Sequence, residues 1–261
     1  MLRRYLEKIL QSQPVNYPAF LKALPEPFGN RHRQIFQAQK VATNRWLVHI
    51  ADQQAFDELL ALARAPESRA QAARQGDSHS HGTGISFLLV YHQQLTTARP
   101  DTVVISKTGV DMGFAPAPSA LVVENESNFY HYQAMLAFAS HTAGSSLSLD
   151  HCDVILGGGN RITSARNMDW LDGYQQVFCA FDYDVGGLQM FASLASRLGR
   201  KARFVEPADW QAWQGHFCLS PKSTQRFTKA LSLAEDLGFT GLAQAFRSTG
   251  KFMEQEMILD D

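Results

Sequence analysis

Short apolar runs alternate with helix-length segments through the second half of the chain, and this alternation constrains the fold more than any other feature. A segment with helical periodicity follows each of the first three runs. Strands separated by helices are typical of α/β proteins with parallel sheets. We therefore predict a mainly parallel four-stranded sheet flanked by helices within residues 115–261. The four runs are SALVV (119–123), CDVIL (152–156), QQVFCAF (175–181) and ARFVE (202–206).

The first half of the chain predicts a separate, mostly helical domain. Residues 1–66 contain helical segments broken at QPVNYP and PEPFGN and followed by the strand-like RWLVHIAD, an order typical of winged-helix-like modules. We interpret residues 67–114 as a linker and connecting segment, because their first part is polar and rich in small residues. Arg31, Arg33 and Lys40 are candidates for contacts with DNA phosphates, although a solvated helix face would have the same composition.

Composition bounds the classes of partner. The 261 residues carry a formal net charge of -1 and are 45% hydrophobic, as in an ordinary globular protein. Nucleic-acid binding would therefore depend on a local basic patch. The apolar stretches are far shorter than the ~20 residues that a membrane-spanning helix needs, and MLRRYLEKIL lacks a signal-peptide cleavage pattern. We expect a cytoplasmic protein without a membrane partner.

Acidic residues and glycines follow three of the four predicted strands. Glu124 follows the first strand, a glycine triplet (157–159) follows the second, and Asp182 and Asp184 follow the third. Parallel strands end at the same edge of a sheet, and reactive groups gather there. Carboxylates packed together raise one another's pKa, whereas Mg²⁺ or Mn²⁺ would offset their charge. The sequence therefore predicts a metal site formed by these three carboxylates.

The glycine triplet is a candidate phosphate-binding loop. Gly158 and Gly159 lead into a predicted helix, so that backbone amides could approach an anion closely. Arg161 and Arg166 lie just beyond and could hold a phosphate. A tight turn and two ordinary surface arginines are the alternative interpretation.

These motifs resemble those of the Toprim domain of topoisomerases, primases and several nucleases, which has a glutamate after the first strand (here LVVEN) and a DxD motif after the third (here FDYD). More narrowly, VVENESNFYHY, ILGGGNRI and FDYDVGGLQMF resemble the group that contains the topoisomerase VI A subunit, the meiotic double-strand-break proteins and JetD, the nuclease subunit of Wadjet anti-plasmid systems. The terminal KFMEQEMI resembles the tail of JetD-like proteins. The resemblance covers roughly residues 115–258.

The resemblance implies a Toprim-like catalytic domain that cuts DNA with Mg²⁺ or Mn²⁺. Asp182 and Asp184 would bind the ion, and Glu124 would be a further ligand or the general acid/base. Glu126 would add to this metal position, or to a second one with Glu254 or Glu256. A solvated or salt-bridged terminal helix is the alternative role for Glu254 and Glu256.

The resemblance also implies partners: DNA, SMC- and kleisin-type condensin subunits, and a second copy of the chain, since a two-strand cut needs two sites. In the topoisomerase branch a tyrosine in an Arg-rich context attacks DNA, but Tyr5 and Tyr17 lack that context. We therefore expect hydrolysis by a metal-activated water. Two other functions stay open from the sequence: a non-catalytic DNA-binding or assembly subunit, and a primase-like nucleotidyl transferase.

Overall fold

A computed structural model describes residues 2–63 and 84–260, and these belong to two compact units, Met1–Thr83 and Gly84–Asp261. The predicted domain boundary at residue 66 and the first part of the predicted linker lie outside the described residues. Each unit has its own hydrophobic core, so each is described by itself.

Three helices, a two-stranded hairpin and a fourth helix form the N-terminal unit. The elements are α1 (Leu2–Leu10), α2 (Tyr17–Lys22), α3 (Phe28–Ile35), β1 (Phe36–Ala42), β2 (Arg45–Ile50) and α4 (Gln53–Leu62). Leu6, Phe20, Ile35, Phe56 and Leu59 are completely or almost completely buried in its core. The order of elements agrees with the predicted one through the third helix.

A β-hairpin replaces the single strand expected in the N-terminal unit. β1 and β2 pair antiparallel, and Asn44 has a φ of 55° in the short turn between them, a conformation that asparagine tolerates better than most residues. In the segment RHRQIFQAQK (31–40), the second half therefore belongs to strand β1. Consequently Arg31 and Arg33 lie on α3, whereas Lys40 lies on β1, where its ammonium group is 5.8 Å from the centre of the Trp46 ring.

The C-terminal unit contains a seven-stranded sheet flanked by helices. In chain order its elements are β3 (Ser86–Tyr91), β4 (Asp101–Ser106), β5 (Gly109–Asp111), β6 (Ser119–Val123), α5 (Glu126–Tyr130), α6 (Tyr132–Ala143), β7 (Cys152–Leu156), α7 (Ala165–Leu171), β8 (Gln176–Ala180), α8 (Val185–Leu198), β9 (Ala202–Phe204), α9 (Thr224–Asp236) and α10 (Thr240–Thr249). Short 3-10 helices lie at Gly159–Thr163, Gly199–Lys201, Ala212–His216 and Gln255–Asp260.

The sheet is mixed, with the order β5-β4-β3-β7-β6-β8-β9. β7, β6, β8 and β9 are parallel, which confirms the α/β class and the four predicted strands. The sheet has more strands than the four predicted, because the antiparallel strands β3, β4 and β5 extend it. Residues 86–111, which we interpreted as connecting segment, belong to the sheet instead. They cover the edge of β7, whose backbone groups would otherwise lack partners on that side.

The register of the parallel strands places their ends side by side. Val123, the last residue of β6, lies opposite Leu156 of β7 and Ala180 of β8. Residues 120–123 of β6 are completely buried, as expected for a central strand covered on both faces. The chain therefore leaves all three strands at one level, where Glu124, the glycine triplet and Asp182 follow. Among the described residues, no helix is long and apolar enough to cross a bilayer.

We expect residues 84–261, expressed without the N-terminal unit, to unfold in one cooperative transition, because their core draws its buried residues from the range 88–258. Leu121→Ala in this piece should cost about 2–5 kcal/mol, since Leu121 is completely buried. Leu219→Ala, whose side chain is 40% exposed, is the matched control with little expected effect. Urea denaturation followed by circular dichroism measures all three proteins. A gradual, non-cooperative transition of the parent piece would contradict the expectation.

Candidate active site

Glu124 and Asp182 meet at the carboxyl end of the parallel strands. Glu124 is the first residue after β6, and Asp182 is the second residue after β8. The Asp182 backbone N–H donates to Oε2 of Glu124, with a nitrogen–oxygen distance of 3.0 Å. This hydrogen bond joins two neighbouring strand ends, so the two carboxylates belong to one site.

Alternation along the backbone explains the spacing of the two aspartates. Tyr183 between them is completely buried, and its hydroxyl donates to the Val205 carbonyl at 3.0 Å. The Tyr183 backbone pairs antiparallel with Met253. In extended chain, successive side chains point to opposite sides. The residues on either side of the buried Tyr183, Asp182 and Asp184, are therefore both partly exposed at the sheet edge.

Asp184 caps the helix that follows it. Its Oδ1 accepts hydrogen bonds from the backbone N–H groups of Gly186 at 2.6 Å and Gly187 at 2.9 Å, at the start of α8. A Cβ atom added at Gly187 would lie 2.1 Å from the Asp182 carbonyl oxygen. Position 187 therefore requires glycine because the acidic loop passes directly over the first turn of α8.

The C-terminal tail adds two more acids to this edge. The Gln255 backbone N–H donates to Oδ1 of Asp182 at 2.9 Å, which places Glu254 and Glu256 beside the strand ends. Oε2 of Glu256 is buried without a hydrogen-bond partner. An unpaired buried carboxylate oxygen is costly, so this atom is suited to a further ligand.

Burial and negative charge shift the pKa values of the central carboxylates. Burial raises the pKa of Asp182 to about 8, and the charge of Glu124 adds to the effect, whereas the Gln255 N–H opposes it. Burial also raises the pKa of Glu124, with smaller contributions from Asp184, Glu256 and Glu254. The ionised forms of these carboxylates are therefore disfavoured, and a divalent cation would stabilise them.

The carboxylates do not converge on a common point. Within residues 2–63 and 84–260, no group of three His, Cys, Asp or Glu side chains is arranged to hold a metal ion. Glu124, Asp182 and Asp184 each have one oxygen that accepts a hydrogen bond from a backbone N–H. The donor set of hard oxygen atoms fits Mg²⁺ or Mn²⁺.

The glycine triplet contacts the acid site and leads into a 3-10 helix instead of an α-helix. Gly158 and Gly159 have φ values of 61° and 63°, and Gly159 N–H donates to the Glu124 carbonyl at 3.4 Å. A 3-10 helix follows, and α7 begins only after the Ser164 N-cap. Anion binding by this loop stays a prediction. The Arg161 guanidinium instead folds back over Gly158, with Nη2 2.8 Å from where a Cβ atom would lie.

The other candidates are Glu126, Arg166 and three basic residues of the N-terminal unit. Glu126 is exposed in the first turn of α5, where its charge interacts favourably with the helix dipole. The Arg166 guanidinium lies near Gly84. Arg31, Arg33 and Lys40 are exposed on the N-terminal unit.

Arg226 is the site residue that sequence reasoning missed. Its Nη2 lies 3.9 Å from Oδ2 of Asp184. In the sequence, KSTQRFTKAL resembles any amphipathic helix with a solvated basic face, so no local pattern distinguishes Arg226 from Lys222 or Lys229.

Comparison with known families assigns the chain. Residues 87–261, more than half of its length, match the family described as Wadjet protein JetD, C-terminal. The chain belongs to the JetD family. No curated protein and no solved structure matches it. The matched range in this JetD-family chain contains Glu124, both aspartates and the acidic tail.

Gly187→Ala should destabilise the protein by about 1–3 kcal/mol, the typical cost of forcing a methyl group into a packed site. Gly186→Ala is the matched control, because the three atoms nearest to its Cβ would all belong to the Asp184 side chain, the nearest at 3.1 Å. Guanidinium denaturation measures both variants. Equal stability of the two would show that the acidic loop can move away from α8.

In metal-free buffer the free energy of unfolding should fall as pH rises from about 4 to about 8. Folded Asp182 keeps its proton up to a pKa of about 8, whereas the unfolded chain releases it near ~4. The folded state therefore binds more protons in this window, and rising pH disfavours it. Asp182→Asn should flatten the curve, and Asp150→Asn, an exposed acid ahead of β7, should not. Urea midpoints between pH 4 and 8 with EDTA measure this, and a flat wild-type curve would contradict it.

Proposed function

We propose that this JetD-family chain is the metal-dependent DNA endonuclease subunit of a Wadjet anti-plasmid defence system. The observation that carries the proposal is the hydrogen bond between Glu124 and the Asp182 backbone, which brings together the acids of two strand ends. Asp184, Glu254 and Glu256 are close enough to raise the pKa of Glu124. Carboxylates concentrated in this way suit a phosphodiester-cleaving site that depends on Mg²⁺ or Mn²⁺.

The acidic residues at the sheet edge would have different roles in the reaction. Asp182 and Asp184 would bind the ion through the oxygens not used for backbone hydrogen bonds, and Glu124 would be a further ligand or the general acid/base. Glu254 and Glu256 would provide a second metal position, and the partnerless Oε2 of Glu256 supports this role. When bound, the ions would polarise the scissile phosphate and activate a water molecule.

The glycine loop would bind phosphate. Its positive φ angles allow the Arg161 guanidinium to lie over Gly158 while the Gly159 amide contacts the Glu124 backbone. A guanidinium can bind a phosphate through two parallel hydrogen bonds. Arg161 would in this way hold the DNA backbone next to Glu124.

Hydrolysis by water, without a tyrosyl–DNA intermediate, is part of the proposal. The rings of Tyr5 and Tyr17 pack 5.7 and 6.0 Å from that of Phe20 in the N-terminal core. Burial also raises the pKa of Tyr17, which disfavours the phenolate form needed for attack. The partly buried environment of Tyr17 therefore supports attack by water.

The proposed partners follow from the proposed reaction. DNA would be the substrate, and SMC- and kleisin-type condensin subunits would deliver it, which accords with a chain of net charge -1 that lacks a general attraction for DNA. A homodimer would supply one site for each strand. The setting would be the cytoplasm.

A non-catalytic DNA-binding or assembly subunit is the second candidate. The observation that favours it is that Glu124, Asp182 and Asp184 each accept a hydrogen bond from a backbone amide. Amides can hold buried carboxylates in place without a metal ion. In that case the acids would have a structural role at the sheet edge.

Asp182→Asn and Glu124→Gln should each reduce plasmid cleavage by at least about 100-fold, because each removes a charge needed for metal binding or proton transfer. The measurement is conversion of supercoiled plasmid to open-circular or linear DNA with Mg²⁺ or Mn²⁺, alone and with the partner subunits. Asp150→Asn should cleave as wild type.

Metal binding provides a readout that does not depend on cleavage. Mn²⁺ should raise the melting temperature of the wild type more than that of Asp182→Asn, since a ligand that binds only the folded state stabilises it. A wild type that binds DNA but neither cuts it nor gains stability from Mg²⁺ or Mn²⁺ would support the non-catalytic function instead.

A further inference from the structure

Arg226 lies beside Asp184 but does not form a hydrogen bond with its Oδ2. It occupies the third position of α9, where its backbone N–H donates to Oγ of the N-cap Ser223 at 3.2 Å. The distance of 3.9 Å between its Nη2 and Oδ2 of Asp184 is too long for a hydrogen bond. The Arg226 side chain is 50% exposed. Its donors therefore remain accessible at the mouth of the acid site.

Stability does not explain a cation at this position. The N-terminal turn of a helix carries partial positive charge, so an arginine there is locally unfavourable. Asp184 already receives two hydrogen bonds from Gly186 and Gly187 through Oδ1. A long, exposed ion pair with Oδ2 adds little to this.

Arg161 and Arg226 reach this edge of the sheet from different elements. Arg161 follows β7, Glu124 follows β6 and the two aspartates follow β8, whereas Arg226 lies on α9 and approaches Asp184. Five clustered carboxylates repel an approaching phosphate backbone. A DNA strand that crosses this edge therefore needs cations beside the carboxylates, and Arg226 is a cation next to Asp184.

We propose that Arg226 binds a backbone phosphate of DNA on the α9 side of the acid site, beside Asp184. DNA as the ligand rests on the proposed function. The planar guanidinium can bind two phosphate oxygens at once, and its long approach to Asp184 leaves it able to turn towards them. Arg226 thus determines where the backbone lies relative to Asp184.

The test compares DNA binding by the full chain in EDTA, so that cleavage plays no part. Fluorescence anisotropy of a labelled duplex at several salt concentrations gives the slope of log K against log salt, and Arg226→Ala should reduce its magnitude by about 1, as expected for one lost phosphate contact. Arg226→Lys should keep the slope. Arg200→Ala removes the same charge at an exposed position before the amino end of β9. It should leave the slope unchanged.

The outcomes separate this inference from the nuclease proposal. Equal slopes for wild type and Arg226→Ala, or a wild type that does not bind duplex DNA at low salt, would overturn the role of Arg226. A reduced slope with no plasmid cleavage by wild type would support Arg226 and count against the nuclease. Thermal melting in the same buffer checks that each variant is folded.

Discussion

Negative charge gathered at the ends of parallel strands is the constraint on which the rest of the site depends. Backbone amides donate hydrogen bonds to these carboxylates. The Asp182 N–H donates to Glu124, the Gln255 N–H donates to Asp182, and the first turn of α8 donates to Asp184. Charge-assisted hydrogen bonds of this kind are strong, but they do not neutralise the carboxylates. Burial, and to a smaller extent the neighbouring carboxylates, raises the pKa values of Glu124 and Asp182.

Backbone packing keeps this arrangement in place. The acidic loop passes over Gly187 so closely that a methyl group has no room, and the buried Tyr183 pairs with Met253 of the tail. The C-terminal tail is consequently part of the site and not an appendage to it. A substitution in the tail would affect the position of Asp182 through its hydrogen bond with the Gln255 amide. A substitution in the first turn of α8 would affect Asp184 in the same way.

Much of the fold could be predicted because the parallel strands are buried on both faces and are therefore continuous apolar runs. SALVV and CDVIL coincide with β6 and β7, and the other two runs contain β8 and β9. The antiparallel strands β3, β4 and β5 were not recognised as part of the sheet. Their outer positions, such as Phe87, are partly exposed, and sheet membership depends on pairing with distant residues.

Local sequence also identified Glu124, Asp182 and Asp184, since a residue that follows a buried strand must lie at the sheet edge. Arg226 was missed because it reaches the site from a helix that begins about forty residues after Asp184. Glu126 was included because it is near Glu124 in the chain, but α5 turns it towards solvent.

By itself, the sequence determined the α/β class, the parallel strands and the acids that follow them, because burial and strand periodicity are properties of neighbouring residues. Only the tertiary structure decided which charges surround those acids. The strand order, the return of the tail to Tyr183 and the approach of Arg226 to Asp184 arise from contacts between residues far apart in the chain, and these contacts set the burial and electrostatics of the site.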